Sequence, residues 1–161
     1  MPAFSTLAIR DMLEDMRDIC DQVLLKWERF GPDHVIDPAD DFTRVALDTI
    51  ALCSMSYRLN SFYTENQPRF AEAMLDVLKE CFLRTRRPTI VQALMSGTNA
   101  KFEEEIHYMK DIALKIVQNR KENPMEKKDL LNAMLFGKDP KTGEGLSDEA
   151  IVNNLLTFLI A

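Results

Sequence analysis

The chain has no Cys-x-x-Cys pair, no His-x-x-x-His spacing and no Gly-x-Ser-x-Gly turn, so the usual zinc, dithiol-redox and serine-hydrolase signatures are missing. Histidine is down to two residues, His34 in a loop and His107 within a charged helix, and neither has companion ligands; both read as ordinary surface or capping residues. Basic residues are in the minority. The 20 Lys and Arg against 26 Asp and Glu leave a net charge of −6, which is the wrong sign for neutralising phosphates, so nucleic acid is not expected as a partner. No run approaches the roughly eighteen apolar residues of a membrane span, and no basic-then-apolar leader opens the chain; a cytoplasmic location is expected. Cys20, Cys53 and Cys81 are odd in number and widely spaced. They argue for free, buried thiols in a reducing compartment rather than a disulfide framework. No internal repeat is found.

What is present is helical patterning. The 161 residues fit one domain, and 46% hydrophobic with 29% charged residues suits a packed fold that faces water. Over 5–30, Ile9, Met16, Val23 and Phe30 recur every seventh position with Leu13, Cys20 and Trp27 beside them, which predicts one amphipathic helix ended by Gly31-Pro32. A strand of a few residues near 34–37 is the most β structure expected. Asp37-Pro38 then opens a helix with Pro at its first position and Asp40 and Asp41 at the positive end of its dipole. From 42 to 55 that helix is apolar on almost every side, Asp48 and Thr49 excepted, and a central position is predicted for it. A third helix begins at Pro68 with the stripe Phe70, Met74, Val77, Leu78, Cys81 and Phe82, and closes in Arg84, Arg86 and Arg87. Residues 89–97 form an ambiguous connector. The fourth helix, 99–122, carries Phe102, Ile106, Met109, Ala113, Ile116 and Val117 on one face, with acids at its start and bases at its end. Asn123-Pro124 stops it, and Asp129 caps a short helix, 130–136, that ends at Gly137. The fold class is therefore all-α.

The stretch 137–161 carries the most information. A turn-rich loop, Gly137-Lys138-Asp139-Pro140-Lys141-Thr142-Gly143-Glu144-Gly145, leads to Ser147 as N-cap with Asp148 and Glu149 in the first helical turn. The helix then runs through Ile151, Val152, Leu155, Leu156, Phe158, Leu159, Ile160 and Ala161 with neither glycine nor a basic closing turn. Helix ends leave carbonyls that need caps, so an uncapped apolar end leads us to expect a segment of a larger domain.

These residues, together with Lys26-Trp27-Glu28-Arg29-Phe30, Asp41-Phe42-Thr43-Arg44, Leu47-Asp48-Thr49-Ile50-Ala51-Leu52-Cys53 and Tyr57-Arg58-Leu59-Asn60-Ser61-Phe62-Tyr63, resemble a cytochrome P-450 in the right order along nearly the whole chain. The likeness is greatest to the self-sufficient bacterial and fungal fatty-acid hydroxylases, whose haem domain is fused to a flavin reductase. The resemblance implies that 1–161 is a partial haem domain, from central helices to the first half of the long helix over the haem, with no second domain. It implies a haem-thiolate monooxygenase that hydroxylates fatty-acid-like molecules with dioxygen and NADPH-derived electrons, and haem, FAD, FMN and NADPH in the complete protein. A flavin reductase, in cis or in trans, is the implied partner. No catalytic or metal-ligating residue is expected within the segment, because the haem-thiolate Cys loop is absent from it; alone it is expected to be inactive. The lid helices of the family correspond to 68–86 and 99–122. Met74, Leu78, Cys81, Phe82, Ile160 and Ala161 are thus the candidate substrate contacts, and Phe158 and Ala161 the candidate haem contacts.

Three competing expectations stand beside this one. The run Arg84-Thr85-Arg86-Arg87 reads either as helix-dipole closure or as a docking patch for an acidic reductase. In place of an enzyme segment, the chain reads as a non-catalytic helical module whose exposed apolar C-terminus docks a partner helix. Finally, if about six large apolar side chains from Ile151 onward lacked partners, the loss would be on the order of 10 kcal/mol, enough to leave the isolated chain molten.

Overall fold

In the computed structural model, residues 5–64 and 67–160 are described. They form α1 (Thr6–Asp11), α2 (Leu13–Phe30), α3 (Pro38–Met55), a 3-10 turn (Ser61–Tyr63), α4 (Arg69–Arg84), α5 (Thr89–Leu94), α6 (Ser96–Glu122), α7 (Leu130–Phe136) and α8 (Asp148–Ile160). Among the described residues no strand forms: 34–37 is irregular, and an isolated antiparallel bridge joins Lys138 to Gly145 in the loop before α8.

Local chemistry sets the helix boundaries. Asp37 Oδ1 accepts from the Ala39 and Asp40 amides at 3.0 and 3.3 Å, and Pro38 follows as the first helical residue of α3. Asp129 Oδ1 accepts from the Asn132 amide at 2.9 Å to start α7, and Ser147 Oγ accepts from the Ala150 amide at 3.2 Å to start α8. Gly31, at φ 77°, stops α2 in a conformation that costs other residues more. Gly137 is required by crowding instead: a Cβ there would lie 2.3 Å from the Ala133 carbonyl oxygen.

The central position predicted for α3 holds. It pairs with α2 on one side and reaches α7 and α8 on the other, while α6 packs against both α4 and α8. One apolar core joins Leu47, Ala51 and Met55 of α3 to Phe70, Met74 and Val77 of α4, Met109, Ala113, Ile116 and Val117 of α6, Leu130, Leu131 and Met134 of α7, and Ile151, Leu155 and Leu159 of α8.

Several sequence expectations are corrected. The single helix over 5–30 is two, because the Met12 amide donates to the Ala8, Ile9 and Arg10 carbonyls before α2 begins. Of the two seven-residue series only Val23 is buried; Ile9 and Leu13 are 49% and 63% exposed, and Ile19 takes the second inward place. Seven-residue recurrence persists on any helical face, so it could not say which face turned inward. Cys53 is buried, but Cys20 and Cys81 are exposed, each on the outer side of its helix. The apolar side chains of α8 do not lack partners: Ile151, Val152, Leu155, Leu156 and Leu159 are at most 8% exposed against α3, α6 and α7. That removes the basis for a 10 kcal/mol deficit there.

Candidate functional site

The side chains singled out from sequence lie on α4 and α8. Met74, Leu78, Cys81 and Phe82 share one side of α4 by their four- and three-residue spacing. Exposure rises along that side: Met74 is 6% exposed inside the core, Leu78 39% and Phe82 56%, and Cys81 is exposed as well. Ala73 and Val77 occupy the adjoining side and are buried in the core. On α8, Phe158 and Ile160 pack half-buried against that core, so Met74, Phe158 and Ile160 belong to one apolar assembly. Leu78, Cys81 and Phe82 stand outside it. Ala161 lies outside the described residues.

Two hollows are lined by other residues. One of about 150 Å³ runs between α4 and α6, beside Val77, Glu80, Phe102 and Glu105. Another of about 850 Å³ lies between α1, Cys53 and the 126–136 stretch.

Sequence reasoning missed the buried ionic clusters. Arg120 of α6 donates to Asp129 at 2.9 and 3.0 Å, to Asn132 Oδ1 at 2.7 Å and to the Met55 carbonyl at 2.8 Å. It thereby ties α6, α7 and the end of α3 together. Arg44 of α3 is 1% exposed and donates to the Ser61 and Thr64 carbonyls, while Asp48, one turn on, accepts from the Ser61 amide at 3.0 Å. Burial pushes the Asp48 carboxyl above the ordinary carboxylate value, although the Ser61 hydrogen bonds and Arg44 pull the other way. At Asp41 the balance is reversed. Burial raises it, but hydrogen bonds from Lys26 at 2.5 Å and the Trp27 indole at 2.6 Å hold it below the usual range.

Two arginines of the basic run at the end of α4 are engaged within the segment. Glu80 Oε1 accepts from Arg84 and Arg87; Arg84 lies 3.8 Å over the Phe102 ring and Arg86 4.4 Å over Phe82. The signal was available in Glu80, four residues before Arg84, which is a helical ion-pair spacing.

Among the described residues no group of three or more His, Cys, Asp and Glu is placed to hold a metal ion. Cys53 does not fit the sulfur ligand of an iron porphyrin. Cys53 is enclosed within α3, and burial, reinforced by the Asp15 charge, pushes its thiol above the ordinary value and away from thiolate. Phe158 and Ile160, at the C-terminal end of α8, are half-buried apolar side chains, a chemistry compatible with the face of a porphyrin or an alkyl chain.

A family model described as cytochrome P-450 matches residues 1–161. Among curated proteins, a self-sufficient cytochrome P-450 monooxygenase of Phanerodontia chrysosporium is 60% identical over the full chain. Bifunctional cytochrome P-450/NADPH–P-450 reductases of Acremonium egyptiacum and Aspergillus oryzae are 52% and 49% identical, again over the full chain. The chain spans 15% of the length of each of these three relatives.

Proposed function

The chain belongs to the cytochrome P-450 family, and from that premise we propose that it is the central helical segment of the haem domain of a monooxygenase that takes its electrons from NADPH through a flavin reductase. The identity of 60% to a self-sufficient monooxygenase along the entire chain is the observation that carries this reading. A reductase is fused in the relatives whose names record both activities, and we place one, with FAD and FMN, in the same polypeptide here. The substrate we propose is fatty-acid-like, in keeping with the apolar character of the exposed side of α4.

Haem, if bound in the parent, would supply the oxygen-activating iron, and no residue of this segment is proposed to ligate it. The work of the residues present is containment. Phe158 and Ala161 are proposed to contact the haem, and Ile160 and Ala161 the substrate beside it. Met74, buried, anchors the α4 wall to the core, and Leu78, Cys81 and Phe82 extend that wall toward solvent, where they contact an alkyl chain and exclude water from it. α4 and α6 together form the lid. Alone, the segment is proposed to be inactive. No helix among the described residues is long and apolar enough to cross a membrane, and the unpaired thiols suit the reducing cytoplasm in which we place the protein.

The test is expression of the parent with reduction under carbon monoxide. A thiolate-type absorbance maximum and NADPH-dependent hydroxylation of fatty acids are expected; a haem-free product, or one without the thiolate signature, overturns the assignment. Substrate placement is tested apart from it. Phe82→Ala and Leu78→Ala are expected to raise KM for long alkyl substrates several-fold with the carbon monoxide spectrum unchanged, and an unchanged KM removes these residues from the wall.

A further inference from the structure

α5 is held in a way that sets it apart from the helices around it. None of its residues is buried, and Ile90 and Leu94 are 77% and 79% exposed. Apolar burial, the ordinary adhesive of an amphipathic helix, is therefore not what fixes it. Nor does the backbone run on regularly into α6, because Met95, at φ −88° and ψ 59°, breaks the helix between them.

What reaches α5 is a closed ring of side-chain hydrogen bonds. Glu80 Oε1, on α4, accepts from Arg84 Nε at 3.1 Å and from Arg87 Nη1 at 2.7 Å. Arg84 Nη2 donates to Asn99 Oδ1 of α6 at 2.9 Å, and Gln92 Nε2 of α5 donates to the same oxygen. The circuit returns through Gln92 Oε1, which accepts from Arg87 Nη1 at 3.2 Å. Asn99 Nδ2 adds a bond to the Gln92 carbonyl at 2.9 Å. Five side chains thus join α4, the following turn, α5 and the start of α6, with Glu80, only 8% exposed, holding both arginines.

We propose that this ring is a conformational latch: closed, it fixes residues 85–95 to the α4–α6 pair; open, it releases that stretch as a unit and leaves the pair intact. The asymmetry follows from what each part stands on. α4 and α6 share buried Met74, Val77, Met109 and Ala113, and two ion pairs outside the ring cross between them, Lys101–Asp76 and Arg69–Glu105, each at 2.6 Å. The 85–95 stretch stands on polar groups whose hydrogen bonds water can replace, so opening it exposes little that was dry. Opening also moves Arg86, which lies in the turn, off the exposed Phe82 ring. The latch is a property of these helices and does not rest on the oxygenase reading of the parent.

Hydrogen exchange followed by mass spectrometry on the complete polypeptide that carries this segment tests it. Gln92→Ala cuts the ring on α5 without touching α4 or α6, and Glu80→Gln weakens it at its centre. Both are expected to speed exchange of amides 89–95 by about tenfold, the change given by losing one or two such hydrogen bonds, with amides 100–120 unchanged. Lys101→Ala, outside the ring, is expected to leave 89–95 as it was. Unaltered exchange in 89–95 for Gln92→Ala overturns the proposal, as does acceleration spread equally through α4 and α6; should Glu80→Gln fail to fold, Gln92→Ala decides alone.

Discussion

Replacing Arg120 with Met should be among the most damaging single changes in the segment. The guanidinium spends four hydrogen bonds on three residues, the two Asp129 oxygens, the Asn132 amide oxygen and the Met55 carbonyl, and the paired side chains are 4% and 1% exposed. Met fills much of the same volume, so packing loss is small and the charge left behind dominates. Asp129 would keep the Asn132 amide at 2.9 Å and the Ser56 hydroxyl at 2.8 Å but lose its cation in a dry site. Removing one partner of a buried pair costs about 3–5 kcal/mol, a third or more of the stability of many domains. Asp129→Asn keeps the cap and removes the charge. Added to Arg120→Met it should recover at least about 1 kcal/mol, because the stranded carboxylate is gone. Urea unfolding of the parent domain, followed by far-ultraviolet circular dichroism and compared at constant m-value, measures both quantities. A cost below about 1 kcal/mol for Arg120→Met, the scale of an exposed pair, would refute the reasoning, as would strict additivity in the double variant.

Asp48 offers the opposite test. Its carboxyl is raised above 3.8 in the folded state by burial, so the folded protein holds this proton more tightly than the unfolded chain, and stability is lost as pH climbs from 3.8 through the folded value. Asp48→Asn, still able to accept from Ser61, should therefore gain stability relative to the parent across that rise, and a pH-independent difference in urea midpoints would count against it. Asp41 is lowered despite burial because Lys26 and the Trp27 indole hold the charged form; its contribution is present above 3.8 and fades as pH falls through the folded value. Trp27→Phe, which removes a 2.6 Å bond to that carboxylate, should cost about 1.5–3 kcal/mol at pH 7 and less at pH 3, read from the same midpoints. Along α4, Met74→Ala should cost about 2–5 kcal/mol and Phe82→Ala under about 0.5, since the two differ so sharply in exposure; equal costs by thermal melting would mean that α4 is seated differently.

How much of this was legible depends on which force set the feature. Caps were readable because they are local: Asp37, Asp129 and Ser147 each accept from an amide two or three residues ahead, and type and spacing suffice to name them. The α6 stripe was readable for a related reason, since Met109, Ala113, Ile116 and Val117 have no rival apolar face. On α2 and α4 apolar residues occupy more than one face. Leu24 and Leu25 are 55% and 63% exposed while Val23 is 5%, and only the neighbour that arrives from elsewhere in the chain selects between such sides. The proposed substrate wall divided for that reason, with Met74 inside and Phe82 outside. Arg120 satisfies the pattern of a cation at a helix end, and that position alone gives no hint of Asp129 closing on it across a turn.

Most of the buried ionic clusters grip the connections between helices. Apolar residues from α3, α4, α6, α7 and α8 meet in one core, and that burial fixes how the helices lie against each other without specifying the paths between them. Three of the ionic clusters sit at connections between helices. Arg44 and Asp48 grip the 61–64 turn that carries the chain from α3 toward α4; Glu80 with Arg84 and Arg87 grips the turn from α4 to α5; Arg120 and Asp129 grip the passage from α6 to α7 against the end of α3. Apolar contacts tolerate many loop courses, whereas a buried guanidinium accepts only the course that brings it carbonyls and carboxylates at bonding distance. On this division of labour, weakening a cluster should loosen the connection it grips before it loosens the helices themselves.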